Sequence, residues 1–204
     1  MSILDALIGL LAPYNCLGCD YEGALLCRTC TMSLRPPQVT VNPPSLSRVQ
    51  SVTAYSGLAK SLVWQLKSSG AQSAAKVMVN QMLTYVDPNT TEIIAPIPTA
   101  TKRVRQRGYD QARLLAREMA NQSGIVWVDC LARLGQAHQV GSGRQQRLQQ
   151  LQNAFRVRHS ELVAGKRILL IDDVATTGAT LEMAAKTLKQ AGALDIQAIT
   201  FAQA

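Results

Sequence analysis

From about residue 49 onward the chain alternates two hydrophobic patterns. Short apolar runs predict strands over Val49–Tyr55, Glu92–Ile97, Ile125–Val128, Phe155–Val157, Arg167–Ile171 and Ile196–Phe201. Between them, apolar residues recurring every three to four positions predict helices over Leu58–Lys67, Ala71–Tyr85, Tyr109–Asn121 and Gly178–Ala191. Asp87-Pro88 closes the second of these, because proline cannot continue a helix. Leu169, Leu170 and Ile171 form an unbroken apolar run, as expected of a strand covered on both faces. Strands alternating with helices predict an α/β fold with a mainly parallel sheet and helices on both faces. Gly135–Gln152, rich in glycine and glutamine, fits neither period and reads as a long functional flap.

The first 34 residues differ from the rest. They hold four of the five cysteines, and residues 35–48 hold four of the eight prolines. Proline fixes φ and restrains its predecessor, so 35–48 reads as a semi-rigid linker. The predicted organisation is a small module over 1–34, a linker over 35–48 and an α/β domain over 49–204. Residues 1–13 predict a short amphipathic helix. Asp5 stands where a secretory signal would carry a basic residue. No run reaches the ~20 apolar residues of a membrane span, so a cytoplasmic location is expected. In a reducing compartment, close cysteine pairs point to metal before disulfide. Cys16-x2-Cys19 and Cys27-x2-Cys30 can place four thiolates around a structural Zn²⁺, with Gly18 and Gly23 supplying tight turns. Cys130 reads as a buried, inert thiol.

A net charge of +8 suggests an anionic partner, and an aromatic content of 4% argues against a base-stacking platform. The densest chemistry is Arg167-Ile-Leu-Leu-Ile-Asp172-Asp173-Val174-Ala175-Thr176-Thr177-Gly178-Ala179-Thr180. A buried strand ends in two carboxylates, then a hydroxyl-rich turn opens a helix. Backbone N–H groups at a helix start cradle phosphate, and glycine lets the backbone come close. Carboxylates beside such a cradle make sense as acceptors for sugar hydroxyls, with a divalent cation nearby. A second cluster, Lys102, Arg103, Arg105 and Arg107, follows the strand ending in Pro96-Ile-Pro98. Arg103 and Arg107, with Arg147 in the flap, are the candidates for holding a dense anion such as pyrophosphate. His138 reads as a surface residue.

The acid–threonine stretch resembles the type I phosphoribosyltransferase motif. That resemblance implies that Asp172 and Asp173 bind the ribose hydroxyls of phosphoribosyl pyrophosphate (PRPP), while Val174, Ala175, Thr176, Thr177, Gly178, Ala179 and Thr180 hold its 5-phosphate. Taken with the four-cysteine module, Trp64-Gln-Leu-Lys67, Pro96-Ile-Pro98, Arg107-Gly-Tyr-Asp-Gln-Ala112, Gln139 with Arg147, and Asn153-Ala-Phe155, the whole chain resembles the ComF family of phosphoribosyltransferase-like proteins. Two positions depart from the family's usual asparagines: Asp110 and Gln150. The resemblance implies a type I phosphoribosyltransferase fold and a link to natural competence and DNA uptake. It also implies Mg²⁺ used with PRPP, and phosphoribosyl transfer to an unspecified acceptor with release of pyrophosphate. A PRPP sensor or a DNA-binding competence adaptor without catalysis is the alternative. Single-stranded DNA and competence proteins are then the candidate partners.

Overall fold

The computed structural model describes residues 14–68, 71–134 and 154–204. The expected N-terminal helix over 1–13 and the whole flap over 135–152, with His138, Gln139, Arg147 and Gln150, lie outside the described residues, as does Asn153.

Five strands form one parallel sheet: β1 (Arg48–Ala54), β2 (Ile93–Pro96), β3 (Val126–Trp127), β6 (Arg167–Ala175) and β7 (Asp195–Gln203), in the order β1-β7-β6-β2-β3. A separate antiparallel pair, β4 (Leu131–Arg133) and β5 (Phe155–Val157), stands at the two roots of the flap. The helices are α1 (Arg28–Met32), α2 (Gly57–Leu66), α3 (Ala71–Met82), α4 (Thr101–Arg107), α5 (Gln111–Ser123) and α6 (Ala179–Gln190). A 3₁₀ turn over Leu83–Tyr85 extends α3.

Alternation along β6 divides the core in two. Leu169 and Ile171 join α2, α3 and α5 side chains such as Leu62, Met78 and Leu115 in one apolar cluster. Ile168 and Leu170 face α6 through Ala184, Ala185 and Leu188 in the other. The sheet is thus covered on both faces, and its central strands are apolar on both sides. The cysteine segment does not stand apart: Cys16, Leu25, Leu26 and Cys30 belong to the first cluster. Residues 35–48 also touch the sheet. Ala54 N–H donates to Arg35 O (2.8 Å) and Ser47 N–H to Ile196 O (2.9 Å), and Leu46 is buried.

Two boundaries differ from the sequence reading in ways that matter for the site. β6 runs on through both aspartates to Ala175, because β7 continues beside it: Asp172 pairs with Thr200 and Ala175 with Gln203. On the other side, the pairing with β2 stops at Pro96↔Ile171. Residues 172–175 therefore line a crevice with one edge open, where the chain's winding direction reverses between β2 and β6. Ligands of open α/β sheets bind at such crevices, beyond the carboxyl ends of the strands. The second difference is α4. It carries the basic cluster on two helical turns of its own, and the next helix starts at Gln111 rather than Tyr109. Among the described residues, no helix is long and apolar enough to cross a membrane.

Candidate functional site

The acid pair sits at the open edge of β6. Asp173 N–H donates to Asp172 Oδ1 (2.8 Å), and Val174 N–H donates to Asp173 Oδ1 (2.9 Å). The second oxygen of Asp173 meets Lys67 Nζ at 2.7 Å. Burial, together with the Asp173 charge beside it, pushes the Asp172 carboxyl well above the usual carboxylate range. Asp110 adds a further repulsion from across the crevice.

Lys67 is brought there by Tyr109. The tyrosine hydroxyl lies 2.7 Å from Leu66 O and 3.1 Å from Ser68 O, sharing its proton between them. It thereby pins the end of α2, the turn that carries Lys67. Sequence reading assigned neither role. Trp64-Gln-Leu-Lys67 stood out only as part of the family resemblance, and nothing local links Lys67 to an acid so far along the chain.

After Ala175 the turn Thr176–Gly178 leads into α6. Thr176 and Thr177 are exposed, and Gly178 caps the helix with φ 75°. Ala179 N–H reaches Thr177 Oγ1 at 3.4 Å. Among the described residues, the N–H groups of Thr176, Thr177 and Gly178 find no acceptor. Free amides, hydroxyls and a helix N-terminus thus converge beside two carboxylates. This arrangement can hold a phosphate on one side and polyol hydroxyls on the other.

Asp110, which departs from the family's usual asparagine, has a structural job. It caps α5, with Oδ1 accepting from Ala112 N–H (3.0 Å) and Arg113 N–H (3.3 Å). Its Oδ2 accepts from Thr99 N–H (2.9 Å), and the Thr99 hydroxyl reaches Oδ1 at 3.1 Å. One side chain ties the loop after β2 to the start of α5, and an N-cap aspartate before a helix was a readable signal. We expect Asp110→Ala to lose about 2–3 kcal/mol, the cap plus the orphaned Thr99 donor. Urea denaturation of the purified variant measures this directly.

Of the cationic candidates, Arg103 is exposed and Arg107 half-buried, both on α4 with exposed Lys102 and Arg105. Among the described residues, none of the four forms an ion pair. At the flap roots, Asp129 instead binds Arg113 (2.7 Å) and Arg158 (3.1 Å). Cys130 is 1% exposed, and burial pushes its thiol up to about 11, too basic for a nucleophile.

The four N-terminal sulfurs lie within 4.8 Å of one another. Cys19 Sγ and Cys27 Sγ are 3.6 Å apart, and all five cysteines are free thiols. A tetrahedral Zn²⁺ with bonds near 2.3 Å separates its sulfurs by about 3.8 Å, so the cluster fits a metal ion of that kind. Backbone N–H groups already point at sulfur: Cys27 N–H at Cys16 Sγ (3.3 Å) and Cys30 N–H at Cys27 Sγ (3.5 Å). The Cys27 N–H holds the Cys16 thiol down to about 6, whereas hydrogen bonding to Cys16, with burial, pushes Cys30 up to about 12. Gly18 matters here through what it lacks, since a Cβ would stand 2.7 Å from Cys30 Sγ and 3.0 Å from Leu58. The sequence reading gave it a turn role; close approach is the observed reason.

The phosphoribosyl transferase domain family matches residues 106–204. The DNA utilization protein YhgH of Shigella flexneri is 30% identical over 165 residues, spanning 76% of this chain and 71% of that one. Competence protein ComFC of Bacillus subtilis (strain 168) is 31% identical over 150 residues, spanning 72% and 60%. Among solved structures, glutamine phosphoribosylpyrophosphate amidotransferase from B. subtilis aligns with a TM-score of 0.47 and 18% identity, over 65% of this chain and 28% of that one. With its four-cysteine cluster, its acid–threonine strand end and these relatives, the chain belongs to the ComF family of phosphoribosyltransferase-like proteins.

Proposed function

We propose that the crevice binds PRPP and that the protein transfers its phosphoribosyl group, with release of pyrophosphate, to an acceptor. The observation that carries this reading is the juxtaposition of three backbone N–H groups, without an acceptor among the described residues, with two strand-borne carboxylates. The amides of Thr176–Gly178 and the threonine hydroxyls hold the 5-phosphate. Asp172 and Asp173 accept hydrogen bonds from the 2- and 3-hydroxyls. Their charge stabilises the positive ribosyl centre that develops as the bond from C1 to pyrophosphate breaks. The pair offers hard oxygen ligands suited to Mg²⁺, which when bound neutralises charge on the leaving group. Arg103 and Arg107 are proposed to steady pyrophosphate from the β2 side, with Arg147 joining from the flap.

The ionised form of Asp172 is the acceptor for ribose. Its raised titration range therefore makes PRPP binding tighten as pH climbs above the ordinary carboxylate range. Titrations across that range check the sign, and binding that weakens with rising pH contradicts it. A pyrophosphate-release assay with PRPP, Mg²⁺ and a panel of nucleobases and amines tests the transfer itself. Release that depends on one acceptor supports a transferase. Saturable binding without release from any acceptor favours a PRPP sensor.

A second reading has its own observation. The four cations of α4, unpaired among the described residues, suit a nucleic-acid backbone, and relatives carry DNA-related names. Single-stranded DNA binding that weakens steeply with salt, and falls on replacing Lys102, Arg103 and Arg105 by glutamine, would support an adaptor role. We also assign Zn²⁺ to the four cysteines, in a closed structural site with no open coordination position.

A further inference from the structure

Behind the threonine turn lies a segment from a distant part of the chain. A Cβ built on Gly178 would stand 2.9 Å from Pro43 Cγ and 3.2 Å from Val41 Cβ. The turn therefore rests directly on residues 41–43, at a position whose φ of 75° already favours glycine.

This strap is anchored on both flanks of the turn. Val41 N–H donates to Gln203 Oε1 (3.3 Å), and Gln203 is the β7 partner of Ala175, the last residue of β6. On the other flank, Ser45 N–H donates to Glu182 Oε2 (2.9 Å) and the Ser45 hydroxyl to Glu182 Oε1 (2.7 Å). Glu182 lies in the first turn of α6, where its own N–H returns to Gly178 O (2.9 Å). Both carboxylate oxygens thus accept from one strap residue, and Oε1 also meets Lys186 Nζ at 3.2 Å. Ser45 is 9% and Leu46 6% exposed, so the clamp is largely shielded from water.

We propose that the Val41–Leu46 strap is a positioning element for the phosphate turn, with the Ser45–Glu182 clamp and the Pro43 contact fixing Gly178 so that its amide and its neighbours' stay converged. The proposal rests on the PRPP reading of that turn. Ser45 and Glu182 touch no ligand in it. They act by preorganisation: a turn held in place needs no ordering when phosphate arrives. The proline-rich composition suits this, since a stiff strap transmits its anchors to the turn better than a flexible one.

The test is calorimetric titration of PRPP and Mg²⁺ into full-length, zinc-loaded protein and its Ser45→Ala and Glu182→Gln variants. Glutamine keeps the shape but turns an NH2 toward one of the two Ser45 donors. Each variant should bind PRPP about ten-fold more weakly, the usual scale for a supporting partner behind a ligand contact. Hydrogen exchange should quicken at Thr176–Thr180, while zinc content and melting temperature stay near wild type. Ser45→Thr, which restores the hydroxyl, should recover most of the affinity. Should Ser45→Ala fail to fold, Glu182→Gln carries the test alone. Folded variants with wild-type affinity overturn the strap's role and leave the PRPP site standing, as does a loss that merely tracks thermal stability. No PRPP binding by the wild-type protein overturns the site, and the strap's role with it.

Discussion

Asp172→Asn should raise the thermal stability of this protein, and, if the crevice takes PRPP as proposed, Asp172→Asn combined with Asp173→Asn should remove that binding. The two effects have one cause. Burial and the neighbouring Asp173 charge drive the Asp172 carboxyl well above the usual range in the folded protein. Its protonated form therefore favours folding at acid pH, and that advantage is lost as pH rises through the folded titration range. Once the carboxyl ionises, its buried charge beside Asp173 is a cost, which a neutral asparagine relieves. Each kcal/mol regained lifts the melting temperature of a protein this size by about 2–4 °C. The gain over wild type should shrink as pH is lowered, because both side chains are then uncharged. In the proposed PRPP site the same replacements exchange one acceptor oxygen of each residue for an NH2 donor and withdraw the charge that would match a ribosyl cation. Loss of affinity by about 100-fold or more follows for the double variant. A double variant that melts well below wild type would instead give these carboxylates a structural role.

Removal of the Zn²⁺ proposed for the four cysteines should be the second large effect. A small module over 1–34, separate from the α/β domain, would unfold alone on losing its metal. The packing says otherwise, since Cys16, Leu25, Leu26 and Cys30 share a core with Leu62, Met78 and Phe201. Cys30 Sγ also lies only 2.7 Å from where a Gly18 Cβ would stand, and Leu58 of α2 closes the same gap. Loss of a structural metal is among the few changes that exceed about 4 kcal/mol. A strong chelator, or Cys30→Ser, should therefore lower the melting temperature of the α/β domain by roughly 8–16 °C. α2 is the route by which the loss would reach the site, because it ends at Lys67 on Asp173. Metal analysis of the purified protein should give one zinc per chain, and calorimetric melting before and after chelation measures the coupling. Protein that melts identically without metal would separate the cluster from the fold.

How much of this was legible beforehand depends on whether a residue's role is local. The central strands were readable because Leu169–Ile171 is an unbroken apolar run and Ile196, Ala198, Ile199 and Phe201 are apolar positions on the next strand, as a doubly covered sheet accommodates. The continuation of β6 to Ala175 was not, since two carboxylates interrupt the run and only the length of β7 carries the strand onward. α4 escaped because Val104 is its one apolar residue, too few to establish a helical period. The acid–threonine turn and the cysteine pairs were legible as motifs, because their chemistry requires fixed spacing along the chain. Contacts between distant segments had no such trace. Lys67 on Asp173, Tyr109 on the end of α2, and Pro43 against Gly178 exist only once the sheet order is known. Asp110 lies between these cases: the family pattern made it look like a misplaced charge, whereas its position before α5 marked it as a cap.

One measurement bears most directly on the account: calorimetric titration of PRPP into the zinc-loaded wild-type protein, with and without Mg²⁺. Saturable binding at one site per chain, tightened by Mg²⁺ and absent from the Asp172→Asn/Asp173→Asn variant, is the predicted result. No heat of binding from folded wild-type protein, or binding that the double variant retains, would contradict it.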